Sequence, residues 1–166
     1  MNALITASGR ADDPFTILAD DDALPPSGAV LVSLARWKRD AAHLKARVDG
    51  YAVRIPNTLD VGSVDAGLLD ARMIVLDFPS FADGRGYSQA RLLREARGYR
   101  GGLRASGAAV VLDQLLGMSR CGIDSFELRA DQSADACLAA LREHPIAYQP
   151  ALDERPRVRQ LRRTGH

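Results

Sequence analysis

Residues 73–88, MIVLDFPSFADGRGYS, give the clearest indication of the fold class of this chain. The continuous apolar run 73–76 is typical of a buried strand, and it ends in the carboxylate Asp77. A glycine-rich turn, Asp83-Gly84-Arg85-Gly86, follows, and a helical pattern begins near Ser88. A buried strand, a glycine loop and a helix N-terminus in that order are typical of ligand sites in α/β proteins.

The same alternation of strand and helix continues on both sides of this stretch. Strand-like runs, each followed by a helical pattern, lie at residues 29–32, 51–55, 73–76, 102–106 and 125–129. Short connections between them predict parallel strands joined by right-handed crossovers. Because about five such units cannot close an eight-stranded barrel, the sequence predicts an α/β fold with a mainly parallel open sheet or a partial barrel.

Side chains near the helix ends allow more specific predictions. Ser33 is placed to cap the first helix, and Asp60 is placed to cap a short helix after the second strand. Trp37 lies on the apolar stripe of the first helix, which predicts a core position. The third helix is expected over residues 88–97.

The chain divides into three parts. Residues 1–28 contain two β-prone runs, 3–6 and 15–18, which predict a small N-terminal β-hairpin and a linker. Residues 29–149 form the α/β domain. Residues 150–166 hold five arginines against two acidic residues, which predicts a flexible Arg-rich tail, with contact to an acidic partner surface as the alternative.

Composition excludes several classes of protein. A formal net charge of +1 argues against nucleic-acid binding. No apolar run approaches the ~18 residues that cross a bilayer, and the first residues do not form a signal-peptide pattern, so we expect no membrane association and a cytoplasmic location. Cys121, Cys137 and the three histidines are too scattered to form a metal site.

The carboxyl ends of the predicted strands carry the candidate functional residues, because ligands bind there in parallel α/β folds. These strand ends also place Arg54 and Ser106 near the same edge. The candidate catalytic residues are Asp77, Arg104 and Glu127. The candidate anion-binding residues are Asp83, Gly84, Arg85, Gly86, Ser88, Arg104 and Arg129.

The expected ligand is a small oxyanion, such as phosphate, sulfate or sulfite, or a nucleotide. The alternative for the glycine loop is a tight turn in which Asp83 caps the helix and Arg85 pairs with Asp77. Gly84-Arg85-Gly86 matches neither GxGxxG nor a Walker loop, and no nucleophile elbow occurs. No recognisable motif therefore encodes a cofactor. Cys121 follows a helix C-terminus, where the dipole raises a thiol pKa, and Cys137 is expected in the core.

Two segments carry a resemblance to a known family: LDFPSFADGRGYSQARLLRE at residues 76–95 and DQLLGMSRCGIDSFELR at residues 113–129. They resemble the bacterial domain-of-unknown-function family DUF934, whose members are described as oxidoreductases involved in sulfite reduction. The resemblance covers about residues 30–129. This chain has Gly107-Ala108-Ala109 where a Gly-Asp pair is usual in that family.

The resemblance implies a cytoplasmic role in assimilatory sulfur metabolism, with sulfite reductase or other sulfate-assimilation proteins as partners. It brings no established catalytic residue. Two functions are therefore expected. One is an accessory protein or oxidoreductase of assimilatory sulfite reduction with an anion site at the strand ends. The alternative is a non-catalytic assembly or electron-delivery partner of sulfite reductase.

Overall fold

The structure is a computed structural model and describes residues 2–143. The predicted tail at residues 150–166 lies outside the described residues. The strands are β1 (Leu4–Thr6), β2 (Gly9–Arg10), β3 (Phe15–Ile17), β4 (Ala29–Ser33), β5 (Tyr51–Ile55), β6 (Met73–Asp77), β7 (Gly102–Ser106) and β8 (Ser125–Glu127). The helices are α1 (Leu34–Lys45), α2 (Arg85–Arg91), α3 (Leu112–Arg120) and α4 (Ala134–Glu143).

One curled sheet contains all eight strands in the order β2-β1-β8-β7-β6-β5-β4-β3. The strands from β3 to β8 run parallel to one another, whereas β1 is antiparallel to both β2 and β8. The prediction of an α/β fold with a mostly parallel sheet is confirmed. The sheet is a half-barrel.

The helical segments depart from prediction in two places. Strand β5, the second strand of the predicted α/β domain, is followed by a 3-10 helix, Ala66–Asp70. Asp65 caps this helix by accepting from the Gly67 N–H. Asp60 instead closes a local turn with Gly62 N, so its predicted capping role is wrong. Helix α2 begins at Arg85, earlier than expected, and continues as a π-helix over Leu92–Ala96.

The N-terminal segments are also arranged differently from the prediction. A short hairpin forms, but it joins β1 to β2. Strand β3 pairs in parallel with β4 at the opposite edge of the sheet. The two β-prone runs of the N-terminus therefore extend both edges of the α/β sheet and do not pair with one another, since β1 pairs with β8 and β3 pairs with β4.

Two apolar clusters cover the two faces of the sheet. Alternate strand residues point to opposite faces, so Val30 and Val32 pack with the helices while Leu31 lies on the other face. Trp37 is buried in the helix-side core, as predicted. The second cluster contains strand residues only: Phe15, Leu31, Ala52 and Val75. The helices therefore pack on the convex face, and this small cluster lies on the concave face.

Residues 11–14, which we call the strap, connect β2 at one edge of the sheet to β3 at the other. In a flat sheet of eight strands, spacings of about 4.8 Å would separate these edges by about 34 Å. The chain from Arg10 to Phe15 can reach only about 18 Å when fully extended. The short strap is therefore compatible only with a strongly curled sheet.

An ion pair fixes the strap to the middle of the sheet. Arg104, in β7, is 2% exposed and donates from Nη1 and Nη2 to the two carboxylate oxygens of Asp13 at 2.7 and 3.0 Å. The Arg104 guanidinium carbon lies 5.8 Å from the ring centre of Phe15 in the edge strand β3. Side chains of β7 and β3, which are four places apart in the order of the sheet, thus come into contact on the concave face.

We expect Asp13→Ala to lower the free energy of unfolding by about 2–3 kcal/mol, because it leaves the buried Arg104 charge unpaired; the loss is below the ~3–5 kcal/mol of a fully buried pair since Asp13 is 36% exposed. Asp12→Ala is the matched control and is expected to change stability by less than about 0.5 kcal/mol, since Asp12 is exposed and makes no hydrogen bond within residues 2–143. Urea unfolding at pH 7 measures both values. Equal losses in the two variants would contradict the role of the ion pair.

Candidate functional site

A cavity of about 450 Å³ opens where the carboxyl ends of β4, β5 and β6 meet the start of α1. Ser33 and Leu34 line it on one side, Arg54 and Pro56 at the end of β5, and Asp77 at the end of β6. Ser33 caps α1, as predicted, by accepting from the Arg36 N–H at 3.0 Å. The first turn of α1 is thereby held beside the two charged side chains.

Arg54 lines this cavity and has only a long ion pair among the described residues. Its side chain is 45% exposed, and its closest carboxylate oxygen is Glu127 Oε2 at 3.7 Å. Within residues 2–143 its N–H groups make no hydrogen bond. A guanidinium offers donors in a planar fork that fits carboxylates and other oxyanions. Arg54 is therefore available to a ligand.

Asp77 is the carboxylate of the same cavity. It is half-buried, and in the described part of the chain its oxygens accept no hydrogen bond and form no ion pair. The chain after β7 passes close by, since a Cβ added at Gly107 would lie 3.1 Å from Asp77 Oδ1 and 2.6 Å from the Phe78 carbonyl oxygen. Gly107 also has φ +120°, so glycine is needed there for two reasons.

The predicted anion loop is occupied by its own ion pair. Arg85 Nε and Nη2 donate to Asp83 at 2.9 and 2.6 Å, and Asn57 donates to the same carboxylate at 2.6 Å. Asp83 also accepts from the Arg85 N–H at the start of α2. The turn alternative thus describes the role of Asp83 at the helix start, but its pairing of Arg85 with Asp77 is wrong, because Asp83 is closer in the chain.

Hydrogen bonds control the protonation of Asp83. The Arg85 side chain, followed by the Arg85 backbone N–H, lowers the pKa of Asp83 to about 2. Asp83 is therefore ionised throughout the physiological range and neutralises Arg85. Gly84 is the N-cap of α2 and has no side-chain cap, and Ser88 lies within the helix rather than at its beginning.

Gly86 is buried for a packing reason. A Cβ at this position would lie 2.7 Å from the ring of Phe78, which follows Asp77. Phe78 in turn contacts the edge of the Tyr87 ring, with ring centres 5.3 Å apart. The close approach of α2 to β6 therefore requires glycine at position 86.

The other predicted cations are also paired. Arg129 donates to Asp131 at 2.6 and 2.8 Å, and Arg104 is held by Asp13. Burial alone would raise the pKa of Asp13, but the hydrogen bonds from Arg104 and the Phe15 N–H, with the charges of Arg104 and Arg54, outweigh it and lower that pKa below 3.8.

One cluster on the concave face thus contains Asp13, Arg54, Arg104 and Glu127. Ion pairs join Arg104 to Asp13 and Arg54 to Glu127, and the positive charge of Arg54 helps to lower the pKa of Asp13. Of the residues predicted as catalytic, Arg104 and Glu127 belong to this cluster, and Asp77 lines the cavity beside it. The predicted anion-binding residues Arg85 and Arg129 are held outside it by their own aspartates.

The remaining sequence-based candidates are placed as follows. Cys121 is half-buried at the end of α3, and burial raises its pKa, while Cys137 is fully buried. Within residues 2–143, no group of three potential metal ligands comes together. A second cavity, of about 530 Å³, lies between α1 and residues 59–67 and is lined by none of the predicted site residues.

Sequence reasoning placed Arg54 at a strand end but left it out of the anion-binding set, and it missed Asp13 completely. The signal for Arg54 was its position one residue before the end of β5. No local signal marks Asp13, because its partner Arg104 is 91 positions away in the chain.

The fold and the cavity define the chain as an α/β half-barrel protein with a charged cavity at the carboxyl ends of its parallel strands. The model of the family described as "Bacterial protein of unknown function (DUF934)" matches residues 52–158, and the chain belongs to that family. No curated protein and no solved structure gives a significant match. Across residues 2–143, no helix is both long and apolar enough to span a membrane.

We expect Gly86→Ala to destabilise the protein by about 1–3 kcal/mol, because the added methyl group overlaps the Phe78 ring. Gly84→Ala is the matched control from the same loop. No atom lies within 4 Å of a Cβ at that position and its φ is −81°, so we expect little loss. Thermal unfolding compares the two. Similar destabilisation by both substitutions would contradict the packing explanation.

We also expect Asp83 to titrate at about pH 2 in an NMR titration, and Arg85→Ala to move its midpoint upward toward 3.8. Asp131 serves as an internal control. Its pKa is also about 2 because of Arg129, and we expect Arg85→Ala to leave that pKa unchanged. An unchanged Asp83 midpoint in the variant would show that Arg85 does not hold this carboxylate in solution.

Proposed function

We propose that this protein is an accessory protein or oxidoreductase of assimilatory sulfite reduction, and that its cavity binds a small ligand through an anionic group. The observation that carries the binding site is the guanidinium of Arg54, which faces the cavity without a hydrogen bond in the described part of the chain. The link to sulfite reduction rests on the resemblance of residues 76–95 and 113–129 to the DUF934 family.

The contrast between Arg54 and the other candidate cations supports this choice of residue. Arg85, Arg104 and Arg129 each donate two or more hydrogen bonds to a nearby aspartate. A ligand would have to displace those carboxylates to bind there. At Arg54, among residues 2–143, it competes only with Glu127 at 3.7 Å, so new charge-assisted hydrogen bonds of about 1.5–3 kcal/mol each are gained at little cost.

Two further residues suit a catalytic or orienting role at this cavity. Asp77 is ionisable, accessible and without a partner among residues 2–143, so it can exchange a proton with a bound ligand or hold a cationic group. Glu127 is the carboxylate nearest to the Arg54 guanidinium among residues 2–143, at 3.7 Å, so it can orient that guanidinium. Arg104 is buried under Asp13, and it supports the site by positioning the strap.

We expect a deletion strain of a bacterium that carries this gene to grow on sulfide but poorly on sulfite or sulfate as its sulfur source. The wild-type gene restores growth on sulfite, whereas Arg54→Ala fails because the anionic group of the ligand loses its cationic partner. Arg72→Ala is the matched control and restores growth, since Arg72 is exposed and lies just before β6, at the other end of the sheet.

The outcomes separate the two expected functions. Full complementation by Arg54→Ala would contradict the binding site and favour the non-catalytic assembly or electron-delivery role. Growth of the deletion strain on sulfite would contradict both roles. Immunoblots establish that the variants accumulate to the level of the wild-type protein.

A further inference from the structure

Arg54 and Asp77 line the same cavity from neighbouring strands, yet they do not pair with each other. Arg54 turns toward Glu127, which lies two strands beyond Asp77, and within residues 2–143 Asp77 has no polar partner. Unlike charges that share one cavity ordinarily attract each other into contact. Here a positive and a negative group line one cavity, and within residues 2–143 no ion pair joins them.

The register of the sheet places both side chains on one face. Arg54 lies opposite Val75, and Asp77 is two residues further along the same strand. The two side chains therefore stand on the same face as diagonal neighbours, whose Cα atoms are about 7–8 Å apart. A long side chain can span that distance, so Asp77 is left unpaired because Arg54 turns toward Glu127. A small molecule that carries both charges can contact the guanidinium and the carboxylate together.

The charges around the cavity disfavour a dianion. Arg54 supplies one positive charge, and Asp77 and Glu127 supply two negative charges. The pair Asp13–Arg104 beneath them is neutral. A ligand such as sulfate would gain one guanidinium and face two carboxylates, whereas a ligand that also carries an ammonium group would satisfy Asp77.

We infer that the cavity binds a zwitterion, an α-amino acid with a small side chain, with its carboxylate on Arg54 and its ammonium group on Asp77. This inference rests on the proposed function and specifies the class of ligand for the same site. Leu34 and Pro56 line the remaining wall and suit a short apolar side chain. The volume of about 450 Å³ is within the range of small-molecule sites.

The test uses three probes that differ by one functional group each. L-alanine carries both charged groups, propionate lacks the ammonium group, and ethylamine lacks the carboxylate. Isothermal titration calorimetry of the full-length protein at pH 7 is expected to show L-alanine binding at least about tenfold more tightly than either analogue. Sulfate is included as the dianion and is expected to bind more weakly than L-alanine.

The variant Asp77→Asn is expected to reverse this preference. It removes the partner of the ammonium group, so L-alanine binds about tenfold more weakly, and it removes a repulsion, so propionate and sulfate bind more tightly than to the wild type. Arg54→Ala weakens L-alanine and propionate alike. Asp12→Asn, the control with the same change of charge, leaves the order of the probes unchanged.

The outcomes distinguish this inference from the proposed function. If propionate or sulfate binds the wild-type protein at least as tightly as L-alanine, the zwitterion inference is wrong while the anion site at Arg54 stands. If no probe binds, both the site and the inference are wrong. The comparison of probes on the wild-type protein does not depend on the folding of any variant.

Discussion

The ion pair between Arg104 and Asp13 joins the middle of the sheet to the four-residue strap that links its two edges. The rest of the structure depends on this closure. A strap so short requires the edges of an eight-stranded sheet to approach each other, and the buried guanidinium requires a carboxylate, because an unpaired charge in that position would be strongly unfavourable. The ring of Phe15 packs on the same concave face, with its centre 5.8 Å from the guanidinium carbon of Arg104.

The pairing of arginines with nearby aspartates also determines which charges remain available for ligands. Three arginines near the strand ends satisfy an aspartate each, and two of these partners lie only two residues away in the chain. Such local pairs form readily because little chain entropy is lost in closing them. Arg54 and Asp77 have no carboxylate or guanidinium at such short range, and the pleat of the sheet keeps them on diagonal positions. The cavity between them is the consequence.

The glycine loop shows how one sequence pattern can serve a different physical purpose. Glycines between a buried strand and a helix suggested backbone amides directed at an anion. In the structure, Gly86 permits α2 to pack against Phe78, and Asp83 already accepts the amide and the guanidinium of Arg85. A glycine allows any group to approach the backbone closely. At Gly86 that group is an aromatic ring and not a phosphate.

The sequence by itself determined the alternation of strands and helices, the buried position of Trp37, the capping role of Ser33 and the strand-end location of Arg54 and Asp77. These features depend on residue type and on spacing of a few positions, which periodicity and capping chemistry express directly. Tertiary structure alone decided the partners of β1 and β3, the burial of Arg104 under Asp13, and which cations remain free. The first two of these outcomes depend on contacts between residues up to 123 positions apart, and such contacts arise only when the sheet brings distant parts of the chain together.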